Sequence, residues 1–458
     1  MPASETEGKK IIHADVYDIP SASKLTDIAP SGTPVMFPEV VGFEYFENMF
    51  DPFIRANLTI LDSSGVIDTA FNNCGVRQFC PVELTLYDPS HDSETWERER
   101  SVLEFIGDNC FYVNRVKDQV AQGKKKAYTL ELITRDSLVA LSRTIKSSWP
   151  PDDSTGIDYN TVVSDVLNKY IKTSKDYSYV MDAMSESVDK VMGNGRKPIE
   201  LINNICTRAT PKGTATGGGK EETRPTGYAF YGTYDSYRFD SIYKLLTEPS
   251  NLNTNHGVYD LSIVNDAETT EEQAAYSILG YKFYDGATQT SLLDEITAKT
   301  RGKAKTLLLD HERSSYKTIE KQTPETVVSP CLKAASDNDF APVKTVTQSE
   351  FQIEYYNTCQ PDALDNSPLN PELSSMNYGA LLDTLKSRTS TIRINGNLSL
   401  SAGNHIYIDF PLIKGDGVNQ TELSAKYSGH YLITKIRHYV QDINHVYTIA
   451  EICKLVTS

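Results

Sequence analysis

The chain has 458 residues, 39% of them hydrophobic and 23% charged, a globular composition with room for several cores at roughly one domain per 100–200 residues. Its net charge of −16 argues against stable nucleic-acid binding, which needs Lys and Arg clustered against phosphate. No apolar run reaches the length of about 18 residues that a membrane-spanning helix needs.

Residues 1–34 lack the basic start and apolar stretch of a secretory signal and read as a flexible arm. The seven cysteines are scattered, with no CxxC pair, which fits free thiols in a reducing cytoplasm. From residue 34 the pattern is β. VVGFEYFENMF (40–50) and FIRANLTILDSSG (53–65) are aromatic and β-branched runs broken at Asp51-Pro52. CPVELTLYD (80–88) alternates, with Val82, Leu84 and Leu86 on one face.

After a breaker at Trp149-Pro150-Pro151 the spacing becomes helical. TVVSDVLNKYI (161–171) and KPIELINNICTRA (197–209) each carry an apolar stripe, the second with Pro198 suited to a first turn. GYAFYGTYDSYRF (227–239) predicts a hairpin leading into a short helix, DSIYKLL. Residues 250–345 are mixed, with a further strand pair expected in 303–321. GALLDTLKSRT (379–389) predicts a helix, and 391–412 returns to strands.

Two hairpins, NCFYVNRVKDQVAQGKKKAYTLELITRD (109–136) and SGHYLITKIRHYVQDINHVYTIAEICKL (428–455), resemble each other. Val113 to Val120 lies over Ile433 to Val440, with Arg115 and Lys117 over Lys435 and Arg437. Tyr128-Thr129-Leu130 lies over Tyr447-Thr448-Ile449, and VLEFIG (102–107) compares with IYIDFP (406–411). Any two half-buried hairpins share a period of two, but the matched basic residues favour duplication. Two similar β barrels per chain are expected, and three chains would then set six barrels around a ring.

Motifs for chemistry are weak. PKGTATGGGKEETRPTG (211–227) brushes against a phosphate loop, but its first Gly is misplaced and Glu221 stands where Ser or Thr is needed. DHERS (310–314) lacks the second His of a zinc helix. His430 and His438 share a strand face roughly 26 Å apart. His438 and His445 could lie diagonally across their hairpin, with further ligands still needed for a metal. No catalytic, cofactor or metal residue is assigned.

Taken in order, FEYFENMFDPFIRANLTILDSSG (43–65), KPIELINNICTRA, GYAFYGTYDSYRFDSIYKLL, RINGNLSLSAGNHIYIDFP and SGHYLITKIRH carry a family resemblance. The chain resembles the central baseplate hub protein of T-even-like contractile-tailed phages, and more distantly the hub part of type VI secretion spike proteins. It covers most of 35–458 and is weakest over 250–375. The resemblance implies an α+β, mainly β fold with two duplicated tail-tube-like β-barrel domains and helical and mixed insertions. It divides the chain into an arm (1–34), a first tube-like barrel (35–146, with 227–245 a candidate to complete it), a helical and mixed connecting domain (147–249), a mixed insertion (250–378) and the C-terminal part of a second tube-like barrel (379–458).

It further implies a non-enzymatic homotrimer in the virion's tail baseplate, assembled in the host cytoplasm. Its partners would be a trimeric central spike, the tail tube protein and baseplate wedge proteins, with the tape measure protein a further candidate. DNA would be passing cargo only, and an acidic conduit wall would repel it. Interface candidates on the two hairpins are Arg115, Lys117, Tyr128, Lys435, Arg437, Tyr439 and Tyr447. The alternatives are a hub of a bacterial injection or secretion machine, and, in a different class, a β-rich polysaccharide-degrading enzyme with two carboxylates roughly 5–10 Å apart.

Overall fold

The computed structural model describes residues 11–20, 30–36, 39–87, 102–122, 125–149, 157–179, 183–185, 191–211, 227–247, 258–260, 276–282, 303–310, 315–322, 348–356, 378, 382, 385, 389–414, 417–424, 427–442 and 445–455. The phosphate-loop-like residues 212–226, the zinc-helix-like 311–314 and the expected loop at 360–377 lie outside them.

The fold is α+β and mainly β, built on a 14-stranded sheet. Its principal N-terminal strands are β1 (Ile12–Val16), β2 (Val40–Asn48), β3 (Arg55–Asp62), β4 (Pro81–Tyr87), β5 (Val102–Phe105), β6 (Phe111–Gln122) and β7 (Lys125–Thr134). A connecting layer contributes β8 (Asp176–Ser178), β9 (Tyr228–Gly232) and β10 (Ser236–Ser241), which form a sheet of their own. The large sheet resumes with β11 (Ile278–Lys282), β12 (Thr389–Asn395), β13 (His405–Asp409), β14 (Gly429–Asp442) and β15 (His445–Lys454).

Two four-strand runs share this sheet in the order β11-β12-β15-β14 and β2-β3-β7-β6. Their registers coincide residue by residue. Val113 pairs with Leu132 and Arg115 with Glu131, as Ile433 pairs with Ile452 and Lys435 with Glu451, so Asn114 and Thr434 are the same bulge. Leu58 faces Leu130 as Ile392 faces Ala450. Val40 and Gly42 flank a bulge against β3 as Ile278 and Gly280 do against β12. Pro81 faces Tyr112 as His405 faces Leu432.

This register corrects two sequence alignments. The strand equivalent to β13 is β4, and β5 is a further strand laid against β4. Tyr128 faces Asp118 as Thr448 faces His438, so Tyr128 takes the place of Thr448 and not of Tyr447. The second run also begins earlier than expected. β11 lies inside the stretch assigned to the mixed insertion, and GFEYFE (42–47) matches GYKFYD (280–285) in sequence.

Two further expectations change. Within the arm, Ile12–Val16 is a strand paired with β4 because Ala14 and Val16 alternate into the core. Residues 228–241 do not complete the first run. Strands β9 and β10 pair with each other and with β8, and Tyr228, Phe230, Tyr237 and Phe239 bury against the connecting helices.

Those helices are α1 (Tyr159–Asp165), continued by a wider turn over Val166–Ile171, and α2 (Pro198–Arg208). Their helical stripes bury Val162, Val163, Val166, Leu167, Ile202 and Ile205 together. Asp158 caps α1 by accepting from Asn160 N at 2.9 Å. In the expected helix at 379–389, Leu382 and Leu385 are helical, as is Tyr378 just before it, and Leu385 is fully buried.

The two runs meet where β14 pairs with β2, Ile436 facing Glu47 and His438 facing Tyr45. Glu47 is only 2% exposed. Its carboxylate accepts from Tyr45 Oη at 2.6 Å, Tyr234 N at 2.8 Å and Ala402 N at 2.8 Å. Burial pushes the carboxyl up, while these three bonds favour the charged form. One side chain thus fastens the first run, the connecting layer and the second run. Nearby, burial lowers the Lys175 ammonium to about 8, opposed by Asp136, Glu47 and Asp235.

His405 is buried, and its Nε2–H donates to Leu245 O at 2.7 Å. Burial lowers its pKa to about 4, so the folded protein holds it neutral.

Replacing Glu47 removes the acceptor of two backbone N–H groups and of the Tyr45 hydroxyl. Glu47→Ala is expected to lower unfolding stability by on the order of 3 kcal/mol, read from urea denaturation. The His405 contribution is fully present above pH 6.5 and is lost as pH falls toward 4, an acid sensitivity on the order of 3 kcal/mol. His405→Gln keeps an N–H donor and is expected to flatten that part of the stability profile between pH 7 and 4.5.

Candidate functional site

Strict alternation sends one face of the joined sheet into the core and leaves the other partly exposed. In β14, Ile436, His438 and Val440 are buried while Lys435, Arg437 and Tyr439 are half-exposed. Strand β3 shows the same alternation, with Ala56, Leu58 and Ile60 inside and Arg55, Asn57 and Thr59 on the accessible face.

The accessible face is laced by cross-strand ion pairs. Lys435 Nζ lies 2.9 Å from Glu451 Oε1 across the β14–β15 hairpin. The Arg437 guanidinium pairs with Glu44 across the seam between the runs. In the first run Lys117 pairs with Glu131, and Arg55 with Asp51 at 2.7 Å. Aromatic rings lie between these charges. Tyr439 and Tyr447 stack with centroids 5.4 Å apart, Arg437 sits 5.0 Å over Tyr439, and Arg393 sits 4.2 Å over Tyr447.

Six of the sequence candidates, Arg115, Lys117, Lys435, Arg437, Tyr439 and Tyr447, occupy this face. Tyr128 does not. It is 5% exposed on the core side, with its hydroxyl 3.4 Å from Asp68 Oδ2, because the one-residue difference in register turns it to the opposite face from Tyr447. The histidines are also separated. His438 is buried, bonded to Thr448 Oγ1 at 2.9 Å and Leu400 O at 3.3 Å, whereas His445 is exposed at the hairpin end.

The face is not the acidic wall that the net charge suggested. Among the described residues its carboxylates Asp51, Glu44, Glu131 and Glu451 are outnumbered by Lys282, Arg393, Lys435 and Arg437 on the second run and Arg55, Arg115 and Lys117 on the first. A depression of about 390 Å³ on it is lined by Phe46, Asn48, Asp51, Phe53, Asn114 and Glu131 among others. Its two acidic residues are the ones paired with Arg55 and Lys117, an arrangement suited to holding strands and not to a free acid and base.

Sequence reasoning missed Glu44 and Glu47. The signal available for them was the match of GFEYFE to GYKFYD, which marks β2 as the start of a repeated unit.

No protein-family model and no curated protein matches the chain. Among solved structures, the 43 kDa tail protein of prophage MuSo2 from Shewanella oneidensis aligns with a TM-score of 0.51 at 7% identity, over 97% of this chain and 98% of that one. A tail protein from Neisseria meningitidis MC58 aligns at 0.46 and 7% identity, over 97% and 96%. The E. coli c3393 protein, described as a type VI secretion component, aligns at 0.41 and 10% identity, over 91% and 73%. The fold is therefore one shared, nearly end to end, with a prophage tail protein.

The Arg437–Glu44 pair is about one-third exposed on each side. Arg437→Ala is expected to cost about 1 kcal/mol of stability, and Arg437→Glu more, since it sets two carboxylates together at the seam. Thermal melts of the two variants beside the wild type measure the difference.

Proposed function

We propose that this protein is a structural subunit of a contractile tail, the trimeric hub of its baseplate. The observation that carries the reading is the pair of equivalent strand runs joined head to tail through β14 and β2. A head-to-tail contact between like units extends into a ring when the rotation closes. Three chains then supply six like units, matching a six-fold tail tube on one side and a three-fold spike on the other. The end-to-end fold likeness to a prophage tail protein supports the same reading.

In such a ring the cores and connecting layers sit outside, since a ring filled by them would have no opening. The accessible sheet face then lines the conduit. Lys117, Lys435 and Arg437 on it are engaged by neighbouring carboxylates, which weakens phosphate contact at those points and helps DNA pass as cargo. Wedge proteins and the tape measure protein are further partners of the hub in this reading, and the site of action is the virion's tail.

Native mass by light scattering, with the chain alone and with its spike protein, tests the proposal. A species near three times 51.0 kDa in either case is the expected result. A monomer in both at every concentration would overturn it.

A further inference from the structure

Two turns that the duplication makes equivalent differ in one residue and in what covers them. Residues 77–80 lead into β4 as residues 401–404 lead into β13. Cys80 N donates to Arg77 O at 3.3 Å, and Asn404 N to Ser401 O at 3.2 Å. Phe79 N and Gly403 N donate to Val113 O and Ile433 O, each at 2.8 Å. Val113 N and Ile433 N donate back to Cys80 O and Asn404 O. The third position of each turn is left-handed, with φ +68° at Phe79 and +87° at Gly403. Glycine is the residue such a position calls for. Phenylalanine carries backbone strain there, and its side chain stays 56% exposed.

At Gly403 the connecting layer closes over the turn. A Cβ on Gly403 would collide with Tyr231 Oη, Ala402 is fully buried, and its N–H is held by Glu47. The turn at Phe79 is open. Gln78 is exposed, and Arg77 is half-exposed with its guanidinium 3.6 Å from Asp18. Ile19 beyond β1 and Ile106 beyond β5 are exposed too, at the end of the sheet where β4 begins. Each chain has two such turns and one connecting layer, which is committed to Gly403.

We infer that Phe79 anchors the three-fold spike, its ring entering an apolar socket edged by a carboxylate that meets Arg77. The inference rests on the ring reading above and names the surface that grips one of its partners. In that ring the equivalent turns alternate, one of each pair closed by Tyr231 and the other carrying Phe79. A partner that takes Phe79 therefore meets one site per protomer, a three-fold set. A six-fold tail tube would need both turns of each chain to be alike. The strain at Phe79 fits the same role, since glycine would relieve it and give up the ring that the partner holds.

The experiment is photo-crosslinking with Phe79→p-benzoylphenylalanine, which keeps an aromatic at the turn and bonds under ultraviolet light to whatever lies against it. The full-length variant is mixed with purified spike protein and tail tube protein, irradiated, and its crosslinked peptides are identified by mass spectrometry. Crosslinks to the spike are the expected result. Crosslinks to the tube protein or to a second copy, or a spike complex with none at this position, overturn the inference and leave the ring reading standing. Phe79→Gly is expected to melt no lower than the wild type while binding the spike roughly tenfold more weakly. Unchanged spike affinity in that variant also overturns the inference. If the wild type stays a monomer with and without the spike, both readings fall.

Discussion

Everything in this architecture depends on one buried carboxylate. Glu47 lies on the strand that joins the two runs and receives hydrogen bonds from three places in the chain: its own strand, the turn between β9 and β10, and the loop before β13. An acid this deeply desolvated is costly unless its lone pairs are occupied. Here they are, and the donors come from elements that also share a buried apolar cluster of Met49, Ala229, Tyr231, Ala402 and Leu432. Together with the β14–β2 pairing, the carboxyl group ties the two runs and the connecting layer at one point.

How much of this was legible in the sequence depends on distance along the chain. The helices at 159–171 and 198–208 were readable from their apolar spacing, because a helix's partners lie three and four residues away. The duplicated hairpins were readable because alternation and the paired basic residues survive in both copies. Their register was misjudged at Tyr128, where the repeated Tyr-Thr pair suggested an alignment one residue away from the true one. In a strand that small error moves a side chain from surface to core. The first strand of the second run was hidden by the residues separating it from β12, and the seam by the nearly 400 residues between Glu44 and Arg437.

Charge illustrates the same limit. A chain of net charge −16 was expected to present an acidic wall, and the accessible sheet face is instead rich in lysine and arginine. Net charge is a sum over the whole surface, whereas a sheet face draws on every second residue of a few strands. On this one the cations lie among aromatic rings, and Lys117, Lys435 and Arg437 pair with carboxylates on neighbouring strands. The result is a surface whose side chains are occupied with one another.

The seam also sets an order in time. Strands β2 to β7 can pair locally as soon as they leave the ribosome, but the partner of the other edge of β2 lies in β14, and the Arg437–Glu44 bond spans 393 residues. At 5–20 residues per second, that edge waits on the order of 20–80 seconds before β14 is synthesised. An aromatic edge strand left open for so long invites pairing with the same strand on another nascent chain. Glu44 and Glu47 place carboxylates along that edge during the wait, so the residues that later lock the seam also guard it while it is unfinished.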